Sequence, residues 1–306
     1  MSGKPQFPEL SIGKAAADEF FRPPQLPNLF QKRAERLRQL SADHPLSAFL
    51  AFLALLADVQ ASLAAEQETQ KTSPLGSPES MNSAAAHSMP LLDLSSWRPS
   101  EFYRRAIRRI VNELPLAALP EESQITAERL AAASDEQLNA LGIAVVTRTV
   151  SSGAAGEAVF AVAALQPEFA GHAVRLDQAM LKPLEAAGLC PACGSPPVAG
   201  VVVADQAYGR RYLTCSLCCS SWNHVRLNCI VCGDEKKIAY QEIEGAEGAA
   251  KAEICDACGS YSKLLYAAKD MGVEPFADDL ASFGLDVLVS EAGWKRHAPN
   301  PFLQGH

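Results

Sequence analysis

The spacing of apolar positions changes twice along this chain, from helical to alternating and back. From Asn28, Leu29, Phe30, Arg33, Leu37 and Leu40 recur at helical spacing, with Lys32, Arg33, Arg36 and Arg38 supplying polar faces. The chain restarts at SADHPLSAF, with Asp43 as cap and Pro45 in the first turn. Leu46, Phe49, Leu50, Leu53, Leu56 and Val59 follow, with alanine at most positions between them, the pattern of a helix at the centre of a bundle. Residues 68–90, rich in Ser, Pro and Ala, read as a mobile loop. Helix resumes at Pro99 with Phe102, Ile107, Ile110 and Val111 as its apolar set, and further helices are predicted over 121–133, 135–141, 154–166 and 172–187. Past residue 187 come strand-like runs, PPVAGVVVA, RRYLTCSL and KKIAYQEI. A last helix is predicted near Pro275, with Phe276, Leu280, Phe283, Leu285 and Leu288 on its apolar face.

The bulk numbers fit an ordinary soluble protein: 306 residues, 48% apolar and 20% charged, enough for two folding units. A net charge of -8 opposes generic binding to nucleic acid or anionic membranes. The N-terminal residues show no apolar core followed by a small-residue cleavage site, so no signal peptide is expected. The longest apolar run, residues 46–59, is shorter than the roughly 20 residues that span a bilayer, and no membrane insertion is expected. A cytoplasmic location follows, and in that reducing compartment nine cysteines do not read as a disulfide framework.

Eight of the nine form four C-x-x-C pairs: Cys190/Cys193, Cys215/Cys218, Cys229/Cys232 and Cys255/Cys258. The spacing repeats, with 21 residues between the first two pairs, 22 between the last two and 10 between the blocks. A fixed spacing used twice implies one structural unit built twice, and each unit has the spacing of a tetrathiolate metal site. Two cysteines separated by two residues can aim both sulfurs at one ion from a tight turn. Gly194, Gly233 and Gly259 follow three of the pairs, where positive φ lets nearby N–H groups face the thiolates. The predicted ligands are Cys190, Cys193, Cys215 and Cys218 at the first site, and Cys229, Cys232, Cys255 and Cys258 at the second. A cross-braced pairing of the first pair with the third is the alternative, and spacing alone leaves zinc and mononuclear iron equally open. The metals hold together modules too small to fold on their own cores; redox thiol chemistry would need only one pair. Cys219 is expected to face away from the metal as a packing residue, His224 to be a surface histidine, and Trp222 to pack over the thiolates.

The cysteine region CPACGSPPVAG…RYLTCSLCCSSWNHVRLNCIVCG…AEICDACGSYSKLLY resembles the formate dehydrogenase accessory (formation) protein family of the FdhE type. So do LPNLFQKRAERLRQLSADHPLSAFLAFLALLADVQ and FADDLASFGLDVLVSEAGWKRHAPNPFL, so the resemblance runs in order through most of the chain. One departure is Cys219 and SWNH, where the family tends to show a small residue and a Glu-Trp-His run. The resemblance implies a cytoplasmic accessory factor without enzymatic activity, needed for active respiratory formate dehydrogenase and contacting its catalytic subunit before export. It also implies rubredoxin-like modules, which favours iron over zinc. Self-association into a homodimer is left open.

The fold class expected is therefore α+β: an all-helical domain over 1–187 with an extended leader, tetracysteine modules over 188–226 and 227–270, and a C-terminal helix and tail over 271–306. Asp278 and Asp279 are expected in the first turn of that helix, where carboxylates favour the positive dipole end. Arg104, Arg105, Arg108 and Arg109 read as a solvated basic face or a partner contact, and residues 293–302 as an irregular tail that clamps a neighbouring surface. SSGAAGEA lacks the Gly-Lys-Ser/Thr ending of a phosphate loop. Two other functions compete. A nucleic-acid binder is disfavoured because residues 189–270 hold eight Lys/Arg against nine Asp/Glu. A rubredoxin-like electron carrier would show a reversible iron chromophore.

Overall fold

The chain is described from a computed structural model over residues 19–26, 28–69, 75–116, 119–204, 209–244 and 248–303. Helix α2 (Ser47–Thr69) has buried residues on every face and is the centre of the helical part. Its 23 residues are long and apolar enough to cross a bilayer, so the length argument made from residues 46–59 fails; what marks it as a core helix is that 61% of its apolar window is buried. Around it lie α1 (Asn28–Ser41), α4 (Glu101–Glu113) and α7 (Ala155–Val174), with α5 (Glu121–Ala132) and α6 (Asp135–Thr147) against α4 and α7.

The sequence reading differs from the structure at four places here: α6 runs to Thr147 and not to 141, α2 begins at Ser47 and not at an Asp43 cap, and two segments change type. Residues 68–90 are not loop throughout: α2 runs to Thr69, and α3 (Pro78–Ala86) is set by Ser77, whose hydroxyl accepts from Ser80 N–H while Ser80 returns the bond to Ser77 N–H. Residues 70–74 lie outside the described residues. In place of helices at 154–166 and 172–187, one helix, α7, crosses Pro167, and beyond it only a 3-10 turn at Gln178–Met180 forms before Cys190. A proline inside a helix leaves the carbonyl four residues back without its N–H. That carbonyl, on Ala163, instead accepts from Gln60 Nε2 of α2 at 3.0 Å.

Among the described residues, the strands of the C-terminal half and one from the leader form an eight-stranded sheet, in the order β1-β4-β3-β2-β7-β6-β5, with β8 also on β7. Strands β2 (Pro197–Val202), β3 (Arg211–Cys215) and β4 (Ser221–His224) make the first antiparallel unit, and β5 (Ile238–Gln241), β6 (Ala250–Cys255) and β7 (Ser260–Tyr266) the second. The tandem units are not separate beads, because β2 and β7 pair in parallel through Gly200↔Leu264 and Val202↔Tyr266. A Cβ on Gly200 would lie 2.6 Å from the buried Leu264 side chain, so a larger residue there would force the junction's packing to shift. The end of the leader joins in as β1 (Phe21–Arg22), pairing with Trp222 and Ser221 of β4.

The C-terminal helix is two helices, α8 (Pro275–Ala281) and α9 (Phe283–Glu291), broken at Ser282. Side chains add bonds to the carbonyls at the break: Ser282 Oγ donates to Asp278 O at 2.7 Å, and the buried Lys263 ammonium donates to Asp279 O at 2.6 Å and to Ser282 O at 3.1 Å. Lys263 also pairs with Asp286 at 2.5 Å and Asp279 at 3.4 Å, and Arg296 of β8 (Lys295–Arg296) bridges the same two carboxylates.

Candidate metal centre

All four C-x-x-C pairs sit on knuckles of the same build. The first cysteine's N–H donates to the carbonyl five residues ahead, from Cys190 to Ser195 at 3.0 Å, Cys215 to Ser220 at 2.8 Å and Cys229 to Asp234 at 2.9 Å. The residue after the second cysteine is left-handed every time: Gly194 (φ 74°), Cys219 (φ 59°), Gly233 (φ 73°) and Gly259 (φ 67°). Cys219 thus adopts the left-handed backbone of the glycines that follow the other three pairs. The turn aims backbone donors at sulfur: Leu217 and Cys218 N–H each lie 3.4 Å from Cys215 Sγ, and Val231 N–H lies 3.4 Å from Cys229 Sγ.

The structure brings the cysteines together in sequential groups, not cross-braced ones. In each quartet, Cys190/Cys193/Cys215/Cys218 and Cys229/Cys232/Cys255/Cys258, the four sulfurs lie within 4.8 Å of one another. Sulfur–sulfur distances are 3.6 Å for Cys190–Cys218, 3.5 Å for Cys193–Cys215, and 3.7 Å for both Cys229–Cys258 and Cys232–Cys255. Metal–sulfur bonds of about 2.3 Å give a tetrahedron with edges of about 3.8 Å, so both quartets fit a tetrathiolate ion with little movement. Thiolate donors of this kind suit zinc and iron alike. The surroundings of the two differ. The first quartet is fully buried in the main core, whereas Cys232 and Cys258 are exposed and burial pushes the Cys229 thiol up to about 12.

Of the neighbouring residues, Cys219 packs away from the metal site as expected, whereas Arg33 and His224 take unexpected places. The Cys219 thiol is buried away from the quartet, where Arg33 Nη2 donates to it at 3.7 Å, and burial pushes it up to about 12. Arg33, which the helical spacing groups with apolar positions, is itself buried: it donates to Glu274 at 3.0 Å and Gln166 at 2.7 Å and stacks 3.8 Å over Phe276. Gln166 Nε2 in turn donates to Ser216 O within the second knuckle at 2.9 Å. One polar network therefore ties α1, α7, α8 and the first metal module. His224 is not a surface histidine. It is 9% exposed, its Nδ1 lies 2.9 Å from Val225 O, and burial holds it below its ordinary value; it belongs to neither quartet. Trp222 is buried in the core cluster that contains the first quartet, and its ring N–H donates to Ala187 O.

Asp278 and Asp279 face the protein interior. Asp278 pairs with Arg36 at 2.6 Å and Asp279 with Lys263 and Arg296, while Glu274 supplies the cap by accepting from Phe276 and Ala277 N–H. The arginine stripe is paired within the molecule: Arg104 and Arg108 meet Asp135, Arg105 and Arg109 meet Glu66, and Arg109 also meets Glu113. Residues 90–92 carry no sequence signal for a place at the metal site. They lie across the first knuckle, with Leu91 and Leu92 N–H donating to Pro191 and Ala192 carbonyls at 3.4 and 2.8 Å.

Fold and site together define a helical domain fused to a doubled, thiolate-bearing sheet. Family models described as FdhE, N-terminal, FdhE, central domain and FdhE, C-terminal domain match residues 19–186, 189–226 and 227–303. An FdhE homolog of Edwardsiella ictaluri is 38% identical over 288 residues, 92% of this chain and 90% of the relative. One of Rhizobium meliloti is 33% identical over the full length of both. The crystal structure of the FdhE protein from Pseudomonas aeruginosa superposes with a TM-score of 0.78 at 31% identity, covering 93% of this chain and 99% of that one. The chain belongs to the FdhE family of formate dehydrogenase accessory proteins.

Proposed function

We propose that this protein acts in the cytoplasm, without catalysis of its own, by binding the immature catalytic subunit of a respiratory formate dehydrogenase. The observation that carries the reading is a cleft of about 380 Å³ where three parts of the chain meet. Val146, Arg148 and Val162 come from the helical domain, Pro196 and Leu217 from the first metal module, and His297 from the tail. A mostly apolar cleft with a cation at its rim suits an extended protein segment carrying apolar side chains and a carboxylate. The two quartets each hold one ion in this reading, iron before zinc, and the ion supplies the cross-link that keeps each knuckle pair in place. The cleft walls then keep their shape while a client is bound.

Affinity capture with tagged protein from anaerobically grown host cells, at matched salt and with nuclease treatment, tests this. Recovery of the formate dehydrogenase catalytic subunit, unaffected by nuclease and reduced by Arg148→Glu, is expected. Nuclease-sensitive material in place of that subunit would overturn the reading in favour of nucleic-acid binding.

A further inference from the structure

The two quartets share one design, so differences in what surrounds them report on what each can do. At the first site Cys190, Cys193, Cys215 and Cys218 are all 0–1% exposed. Both of its knuckles are covered by the helical domain. The segment 90–92 donates two backbone N–H groups to the knuckle at Pro191 and Ala192, and a Cβ at Gly194 would stand 2.9 Å from Pro90. On the other knuckle, the left-handed position is Cys219, held against Arg33.

Among the described residues, the helical domain does not cover the equivalent positions at the second site; the contacts there come from the tail, with Lys295 N–H donating to Gly259 O at 2.9 Å and Trp294 Nε1 to Asp256 Oδ1 at 3.1 Å. A Cβ at Gly233 or Gly259 would meet nothing within 4 Å among the described residues. Residues 231–233 and 256–259 are exposed, Cys232 and Cys258 among them. Cys229 and Cys255 are the buried members, so the open side is a single edge of the tetrahedron. Ser260 Oγ lies 2.8 Å from Cys258 Sγ, as Ser220 Oγ lies 3.3 Å from Cys218 Sγ at the first site, so the two sites differ in exposure and not in this contact.

We infer that the second quartet is an exchange site, taking up and releasing a thiophilic divalent ion through its Cys232–Cys258 edge, while the first holds its ion as long as the domain stays folded. The inference rests on the metal-binding reading above. Exchange at such a site is associative: an incoming donor atom binds the ion as the bond to Cys258 or Cys232 breaks, and the released thiolate is hydrogen-bonded or takes a proton from water. No oxidant or reductant is involved. A donor can reach the first ion only after the helical domain lifts off the knuckles, which demands sub-global unfolding.

The test uses the intact, metal-loaded chain, with metal content measured first by mass spectrometry. It is then challenged with 4-(2-pyridylazo)resorcinol, a chromogenic chelator, while iodoacetamide labelling is mapped by peptide. The expected result is two phases of one equivalent each, the fast one more than about tenfold faster, with label appearing first at Cys232 and Cys258. Cys232→Ser and Cys258→Ser, at exposed positions, are expected to keep the helical signal and to retain one slow equivalent. Release of both equivalents at one rate, or earlier labelling of Cys190, Cys193, Cys215 or Cys218, would overturn the inference while leaving metal binding intact. A protein that binds no metal in the first measurement would overturn both.

Discussion

The guanidinium of Arg33 in α1 donates through Nε to Oε1 of Glu274, the residue that caps α8, at 3.0 Å and across 241 positions of chain. Both groups are buried, and Arg33 also reaches Gln166 and Cys219. Removing one partner of a buried pair strands the other without solvent. Arg33→Met is therefore expected to cost about 3–5 kcal/mol in urea unfolding, and adding Glu274→Gln to recover part of that loss. Additive losses in the double variant would contradict this coupling.

Gln60 and Pro167 form a second matched pair. With Gln60→Leu the Ala163 carbonyl loses its donor, at an expected cost of about 1–3 kcal/mol. Adding Pro167→Ala restores an N–H at position 167 and is expected to rescue the variant, measured by the midpoint of thermal unfolding; an equal loss in both would sink the idea.

Cys219 stands where the other three knuckles have glycine. Cys219→Gly is expected to keep both ions and to change stability by less than about 1 kcal/mol, since relief of the left-handed strain offsets lost packing and chain entropy. Cys219→Val puts a branched side chain into the same φ and is expected to cost about 2 kcal/mol or more. Metal analysis and urea unfolding of the two variants check this ordering.

Burial pushes the Glu168 carboxyl up, against donation from Trp97 Nε1 at 3.2 Å and Ser100 Oγ at 3.0 Å. The folded chain then keeps this proton where the unfolded chain, near the ordinary carboxylate value of about 4.3, has lost it. The contribution to stability is full below that value and is lost as pH rises through the raised one. Against Glu168→Gln, the wild type is expected to weaken as pH climbs across that window. Parallel urea midpoints for the two proteins from acid to neutral pH would exclude this.

Metal content gives the most direct check on the quartets. The purified chain is expected to hold two ions, each with four sulfurs at about 2.3 Å by X-ray absorption. Stripping both under mild denaturant is expected to melt the sheet before the helices, followed by circular dichroism, because the α2 core stands without them.

Much of the candidate site was legible in the residues because its signal is local. A C-x-x-C turn carries its own geometry, and the repeated interval of 21 and 22 residues placed all eight sulfurs in the grouping the structure shows. Central helix α2 was legible for a similar reason, since continuous apolarity needs no partner to be recognised. Misreadings fell where a remote residue alters local preference. Pro167 signals a helix end until Gln60 supplies the missing donor, and Asp278 and Asp279 read as dipole partners until Arg36, Lys263 and Arg296 reach them. His224 reads as a polar surface residue, yet it is 9% exposed at the end of β4, opposite the buried Arg211 of β3.

By itself the sequence determined the α+β class, the helical N-terminal part and the two thiolate quartets, each encoded within a short stretch by spacing and periodicity. Tertiary structure decided that β2 and β7 join the two units in one sheet, that Arg33 belongs to a buried network, and that one quartet is covered while its twin lies open. The physical reason is separation along the chain: residues 90–92 shield a knuckle about 100 positions away, and no local pattern records which of two equal knuckles they meet.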